Sequence, residues 1–201
     1  MTKVIDFYYD FGSPNAYLVE AVLPAIAKRH NAEIRRIPIL LGGLFKATGN
    51  QSPMFNFAEV SGKVAYLQVE LNRFVKKHDI AFQWNPHFPI LTTPLMRGAV
   101  FARGKDWEVN FRDTVYRACW VDGHNMTDPD VIFDVLQSAG LPAAEIAAAI
   151  QTPEVKSALF ETTQEAEGRG AFGVPTMFIG DEIYFGKDSL HDMEDALSCV
   201  G

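Results

Sequence analysis

Residues 4–24 read VIDFYYDFGSPNAYLVEAVLP, and the break at Ser13-Pro14-Asn15-Ala16 decides how the chain begins to fold. Before the break, Val4, Ile5, Phe7, Tyr8 and Tyr9 form a short apolar run, which predicts a buried strand. After it, Ser13 is a suitable helix N-cap and Pro14 fits the first helical position. Leu18, Val19, Val22, Leu23 and Ile26 supply an apolar stripe at helical spacing. Pro24 falls inside that helix and predicts a kink. AEIRRIPIL at 32–40 reads as a second strand, so the opening is a β-α-β unit with parallel strands and a right-handed crossover.

Further along, the texture changes. LGGLFKATGNQSP at 41–53 is loop-like, rich in turn residues. Val60, Val64, Leu67, Leu71, Phe74 and Val75 then recur at helical spacing, predicting a helix from about residue 60. FQWNPHFPILTTP at 82–94 interrupts with three prolines. Asp128-Pro129 and Thr152-Pro153 each place a capping side chain before an N1 proline, and Gly140 and Gly168 are candidate stops. Strand texture returns in VPTMFIG and EIYFG, joined by Gly180-Asp181 as a tight hairpin. A last helix carries Leu190, Met193 and Leu197 on one face. The order is βαβ, a long helical block, then ββα.

Bulk properties narrow the function classes. The 201 residues with 48% hydrophobic composition suffice for one sizeable core. A net charge of -7 argues against a nucleic-acid partner, which needs a basic face. There is no apolar run long enough for a membrane span. The first residues enter a strand without the apolar core of an export signal, so a cytoplasmic location is expected. In that setting Cys119 and Cys199 read as incidental thiols. The five histidines are scattered and predict no metal site.

Five segments in order carry a resemblance over essentially the whole chain. They are DFGSP at 10–14, LGGLFKATGN at 41–50, WNPHFP at 84–89, GVPT at 173–176 and YFGKDSL at 184–190. Together they resemble the 2-hydroxychromene-2-carboxylate isomerases and kappa-class glutathione transferases. The resemblance implies an α/β, thioredoxin-like fold (βαβ…ββα) with a large all-helical insertion, as in DsbA. The thioredoxin-like part would take residues 1–45 and 165–201, and the insertion 46–164. It also implies glutathione as cofactor, a small aromatic keto-acid substrate and a homodimer.

The same resemblance assigns roles. Ser13 would stand where a disulfide oxidoreductase carries its attacking cysteine and would donate to the glutathione thiolate. Such a donor, with the helix N-terminus beside it, lowers a thiol pKa. Ala16 leaves no resolving cysteine. Helix capping is compatible with this role. Val174-Pro175 would be a cis pair whose backbone grips glutathione like an added strand. Phe185, Gly186, Lys187 and Asp188 would hold its γ-glutamyl end, Asp188 pairing with the ammonium; by spacing alone, Asp188 also reads as a helix N-cap. Lys46 would meet the substrate carboxylate as a point charge. Asn56 and Phe57 would help hold substrate, and Asn50 and Lys63 glutathione; Lys63 fits a solvent-facing lysine equally well. WNPHFP reads either as a loop plug or as a pocket wall, His87 as a bystander and Asp10, at the strand end near Ser13, as structural. The implied activity is glutathione-dependent cis-trans isomerisation, with conjugation of small electrophiles as the alternative. Without cysteine at 13 or 16, disulfide exchange is disfavoured.

Overall fold

The computed structural model describes residues 3–199, with the Cys199 side chain outside the described set. Four strands form one mixed sheet in the order β2-β1-β3-β4. Strand β1 (Lys3–Tyr9) lies centrally, parallel to β2 (Ala32–Pro38) and antiparallel to β3 (Thr176–Ile179). Strand β4 (Glu182–Phe185) completes the hairpin with β3 across Gly180-Asp181, where Gly180 takes φ +60°. The alternation of β1 divides the core. Ile5, Phe7 and Tyr9 face helix α1 (Pro14–Arg29), joining Val19, Leu23 and Ile26. Tyr8 points to the other face, with Ile37, Ile39 and Phe178. Burying each such large side chain is worth roughly 1.5–3 kcal/mol. Helix α1 continues through Pro24 to Arg29 without ending there.

The remaining helices lie in sequence between β2 and β3. They are α2 (Leu41–Thr48), α3 (Pro53–Asn56), α4 (Lys63–His78), α5 (Thr93–Ala102), α6 (Glu108–Trp120), α7 (Pro129–Ser138), α8 (Ala143–Ala149) and α9 (Pro153–Gly168). After β4, a single 3-10 turn at Lys187–Ser189 leads into α10 (Leu190–Cys199). The Asp128 and Thr152 side chains cap α7 and α9 as their Asp-Pro and Thr-Pro pairs predict. Leu190, Met193 and Leu197 are buried on α10. Buried charge ties the parts together. Glu20 of α1 binds Arg36 of β2 at 2.8 Å and Arg112 of α6 at 3.2 Å. Across the sheet, Asp6 binds both Arg35 and Arg169 at 2.7 Å.

Three expectations are corrected. Residues 41–48 form a helix, not a loop, despite Gly42 and Gly43; Gly49 at φ +67° ends it. Residues 53–56 also form a short helix, capped by Ser52, with Asn56 as its last residue. Helix α4 starts at Lys63 rather than near 60, because Gly62 at φ +76° breaks the backbone there. WNPHFP is a plug. Asn85, 1% exposed, donates to the Cys119 and His124 carbonyls, while Trp84 and Phe88 pack around Trp120. His87 is exposed. None of the described helices is long and apolar enough to cross a membrane.

Candidate active site

The carboxyl end of β1, the N-terminus of α1 and the loop before β3 meet at Ser13. Its backbone N–H donates to the Asp10 carbonyl at 3.1 Å. Its hydroxyl accepts from the Ala16 N–H and donates to the Val174 carbonyl, both at 3.2 Å. One side chain thus caps α1 and spans to the facing loop. No acidic residue occupies the first turn of α1, though the Asp10 carboxyl lies just before it, bonded to the Gly12 N–H. Ser13 is 6% exposed. The hydroxyl sits in a largely dry setting at the positive end of the helix dipole.

The facing loop is tightly specified. Val174-Pro175 is cis, and the Pro175 carbonyl accepts from the Gly186 N–H at 2.9 Å. Thr176 donates to the Gly173 carbonyl at 2.7 Å. Phe172 and Phe185 lie with ring centroids 4.4 Å apart, both partly exposed. A Cβ on Gly173 would stand 2.9 Å from the Phe185 ring, so only glycine lets that ring close over the loop. Asn50, just beyond α2, donates to the Phe172 carbonyl at 2.7 Å. Ser13, Val174, Pro175, Phe185, Gly186 and Asn50 are therefore linked in one small region.

The other expected residues are placed differently. Lys46 is exposed on α2 and has no ion pair among the described residues. Asn56 is bonded to Gln51 through both ends of its amide. Phe57 lies under Lys63, whose Nζ is 5.1 Å from the ring centroid. No hydrogen bond or ring contact joins this group to Ser13 among the described residues. Lys187 corrects the picture of an open ligand contact. It is 4% exposed, with its Nζ 2.7 and 2.8 Å from the Asp188 carboxylate oxygens and 3.6 Å from Glu70. It holds Asp188 from behind, leaving the Asp188 side chain 67% exposed. Asp188 itself lies in the 3-10 turn ahead of α10.

Two cavities stand out among the described residues. One of about 250 Å³ lies between α1, α4 and the start of α10, and Lys187 and Asp188 line it. A larger one of about 520 Å³ lies between α6 and α7. Its cation, Arg117, is already paired with Asp122 at 3.0 Å, and no nucleophile with an activating partner faces it. Cys119 is fully buried, and burial pushes its thiol far above the ordinary range, so it stays protonated. Phe172 is the residue that the sequence alone does not mark, and Asp10 reads there only as structural. Leu41 and Asn50, which tie them to this region, come from distant segments.

A sequence model of the DSBA-like thioredoxin domain matches residues 4–198. The 2-hydroxychromene-2-carboxylate isomerase of Sphingobium xenophagum is 30% identical over 98% of this chain and 99% of its own. The chain belongs to the DsbA-like thioredoxin family, in the branch of these isomerases. Human glutathione S-transferase kappa 1 is 26% identical over 87% of this chain and 80% of its own. A solved structure of a selenomethionine 2-hydroxychromene-2-carboxylate isomerase superposes with TM-score 0.84 at 27% identity, covering 97% of this chain and 94% of that one. The DsbA-like family frame explains the mixed sheet and the helices between its halves. Ser13 caps α1 and Ala16 lies in its first turn, so no cysteine stands at either position.

Proposed function

We propose that the protein is a glutathione-dependent isomerase that converts 2-hydroxychromene-2-carboxylate to trans-o-hydroxybenzylidenepyruvate in aromatic degradation. The observation that carries this reading is the Ser13 hydroxyl, held at the N-terminus of α1 and facing the Val174 carbonyl, with alanine and not cysteine at position 16. The named isomerase relatives supply the substrate class.

The residues fit glutathione. Val174 is 7% exposed and its carbonyl faces Ser13. Its N–H, which makes no hydrogen bond among the described residues, would donate to the cysteinyl carbonyl of an extended peptide laid along this loop. When bound, glutathione supplies a thiolate whose addition turns a fixed double bond into a rotatable single bond and whose departure restores the alkene. Ser13 holds that sulfur ionised by turning its O–H from the Val174 carbonyl to the incoming charge. The exposed Asp188 carboxylate accepts the γ-glutamyl ammonium, with Lys187 fixing it from behind. Asn50, bonded to the Phe172 carbonyl, and Lys63 would steady the rest of the tripeptide. Lys46, which has no ion pair among the described residues, meets the substrate carboxylate, with Asn56 and Phe57 nearby in sequence. Charge developing on the substrate oxygen is stabilised only if these groups are already in place.

We also propose a homodimer, supported by the exposed large apolar side chains Phe55, Val60, Tyr66 and Val69 between residues 55 and 69. The function is tested by following the absorbance of the chromene acid with enzyme, with and without glutathione. Conversion that needs glutathione supports the isomerase. Accumulation of a glutathione conjugate instead would favour the transferase reading, which the kappa-class relatives motivate. Replacing Lys46 with Met should raise KM for the keto acid roughly tenfold, the scale of one lost charged hydrogen bond.

A further inference from the structure

Asp10 ends β1 with a side chain that is 1% exposed overall. A buried carboxylate usually sits against a cation. Here its partners are the N–H groups of Gly12 and Leu41, with Thr92 alongside. The division of its two oxygens is informative. Oδ1 accepts from Gly12 at 2.9 Å, next to Ser13, and Oδ2 accepts from Leu41 at 2.8 Å, the first residue of α2. The residue before α2, Leu40, has no side chain able to cap it, and its own N–H is taken by Thr163. Asp10 therefore does for α2 what an N-cap does, from 31 positions earlier.

The far end of α2 is tied as well. Asn50 holds the Phe172 carbonyl, two positions before Val174, and Val174 accepts the Ser13 hydroxyl. The bonds close a ring running from Ser13 through the loop before β3, Asn50, α2 and Asp10 back to Ser13. Within that ring Asp10 is the buried link, 1% exposed. We propose that Asp10 is a positioning residue that sets the Ser13 hydroxyl and the Lys46-bearing helix α2 in one frame. The inference rests on the roles given above to Ser13 and Lys46.

Asp10→Asn separates this role from simple support of the fold. The two N–H groups bond to different oxygens of Asp10, and an asparagine in the same place keeps only one of those oxygens, so its NH₂ faces the other N–H. The frame then loosens at one side. Bound glutathione should show a higher thiol pKa, read from thiolate absorbance, and KM for the keto acid should rise with it. A combined loss of about tenfold to a hundredfold in kcat/KM is expected, because small misplacements of positioned groups are costly. Ser13→Ala should move the thiol pKa without KM, and Lys46→Met should move KM without the thiol pKa. Amide hydrogen exchange at Gly12 or Leu41, measured without any ligand, should accelerate while β1 amides stay protected. That readout stands even if the substrate assignment fails, so the two failures can be told apart.

A variant with slower or unchanged exchange at both amides overturns the proposal. So does one whose melting temperature falls while the thiol pKa and KM stay at wild-type values. If Asp10→Asn does not fold, Asn50→Ala opens the same ring at its exposed end. It should shift thiol pKa and KM together, more weakly, and leaving both unchanged would equally overturn the inference.

Discussion

Ser13 uses its hydroxyl twice, accepting from Ala16 and donating to Val174. Ser13→Ala should therefore show two separable effects. Loss of the cap lowers stability by about 1 kcal/mol, visible in a denaturant midpoint. Loss of the donor lowers kcat by about 10²-fold, the scale of removing one preorganised donor to a developing charge. Unchanged turnover in a folded variant would remove Ser13 from the chemistry. At this scale the sequence was informative where the determinant is local. A serine followed by proline at a strand end reads directly as a cap. Lys187 was less legible, because Glu70 and Phe74, which enclose it, sit on a helix more than a hundred positions earlier.

Helix α2 shows why a local reading fails at the level of an element. Two glycines and no capping residue make 41–48 look like a loop. The acceptors that start the helix are Asp10 and Thr163, which no window around 41 contains. The hairpin and the caps of α7 and α9 were legible because their turn and capping residues are adjacent to what they stabilise. The cis-proline loop yields a prediction of its own. Gly173→Ala pushes a methyl against the Phe185 ring, which is 43% exposed and free to swing outward. The variant should unfold within a few degrees of wild type, while glutathione binding by titration calorimetry weakens severalfold. A large drop in melting temperature with intact binding would mean that the Phe172–Phe185 pair serves the core and not the ligand.

For the whole molecule, the element order was legible because βαβ and ββα are each written in short-range patterns. How the helices pack on the sheet was not, since Glu20–Arg36–Arg112 joins three distant segments. Acid stability follows from charge placement. Hydrogen bonds from Arg29, then His30, hold the Glu194 carboxyl below its ordinary value against partial burial. Its folded pKa is depressed, so the stability it adds is present above the unfolded pKa and is lost as pH falls through the folded one. The pair is partly exposed, so the effect is modest and shrinks with salt. Melting curves of Glu194→Gln should match wild type in strong acid and fall slightly below it near neutrality. The proposed dimer makes a separate prediction: Tyr66→Glu should shift sedimentation to the monomer without unfolding the chain. An unchanged sedimentation coefficient at the dimer value would place the interface elsewhere.

The central position of β1 has a consequence for how the chain is made. Ile5 must finally pair with Ile179, so one side of the middle strand has no neighbour until nearly the whole polypeptide has left the ribosome. Closing so long a loop is slow relative to local helix formation. The nascent protein therefore carries an open, apolar strand edge throughout its synthesis, a natural target for a chaperone that binds extended segments. Ribosome-stalled chains ending before β3 should be protease-sensitive in β1 and become protected once β3 and β4 are added.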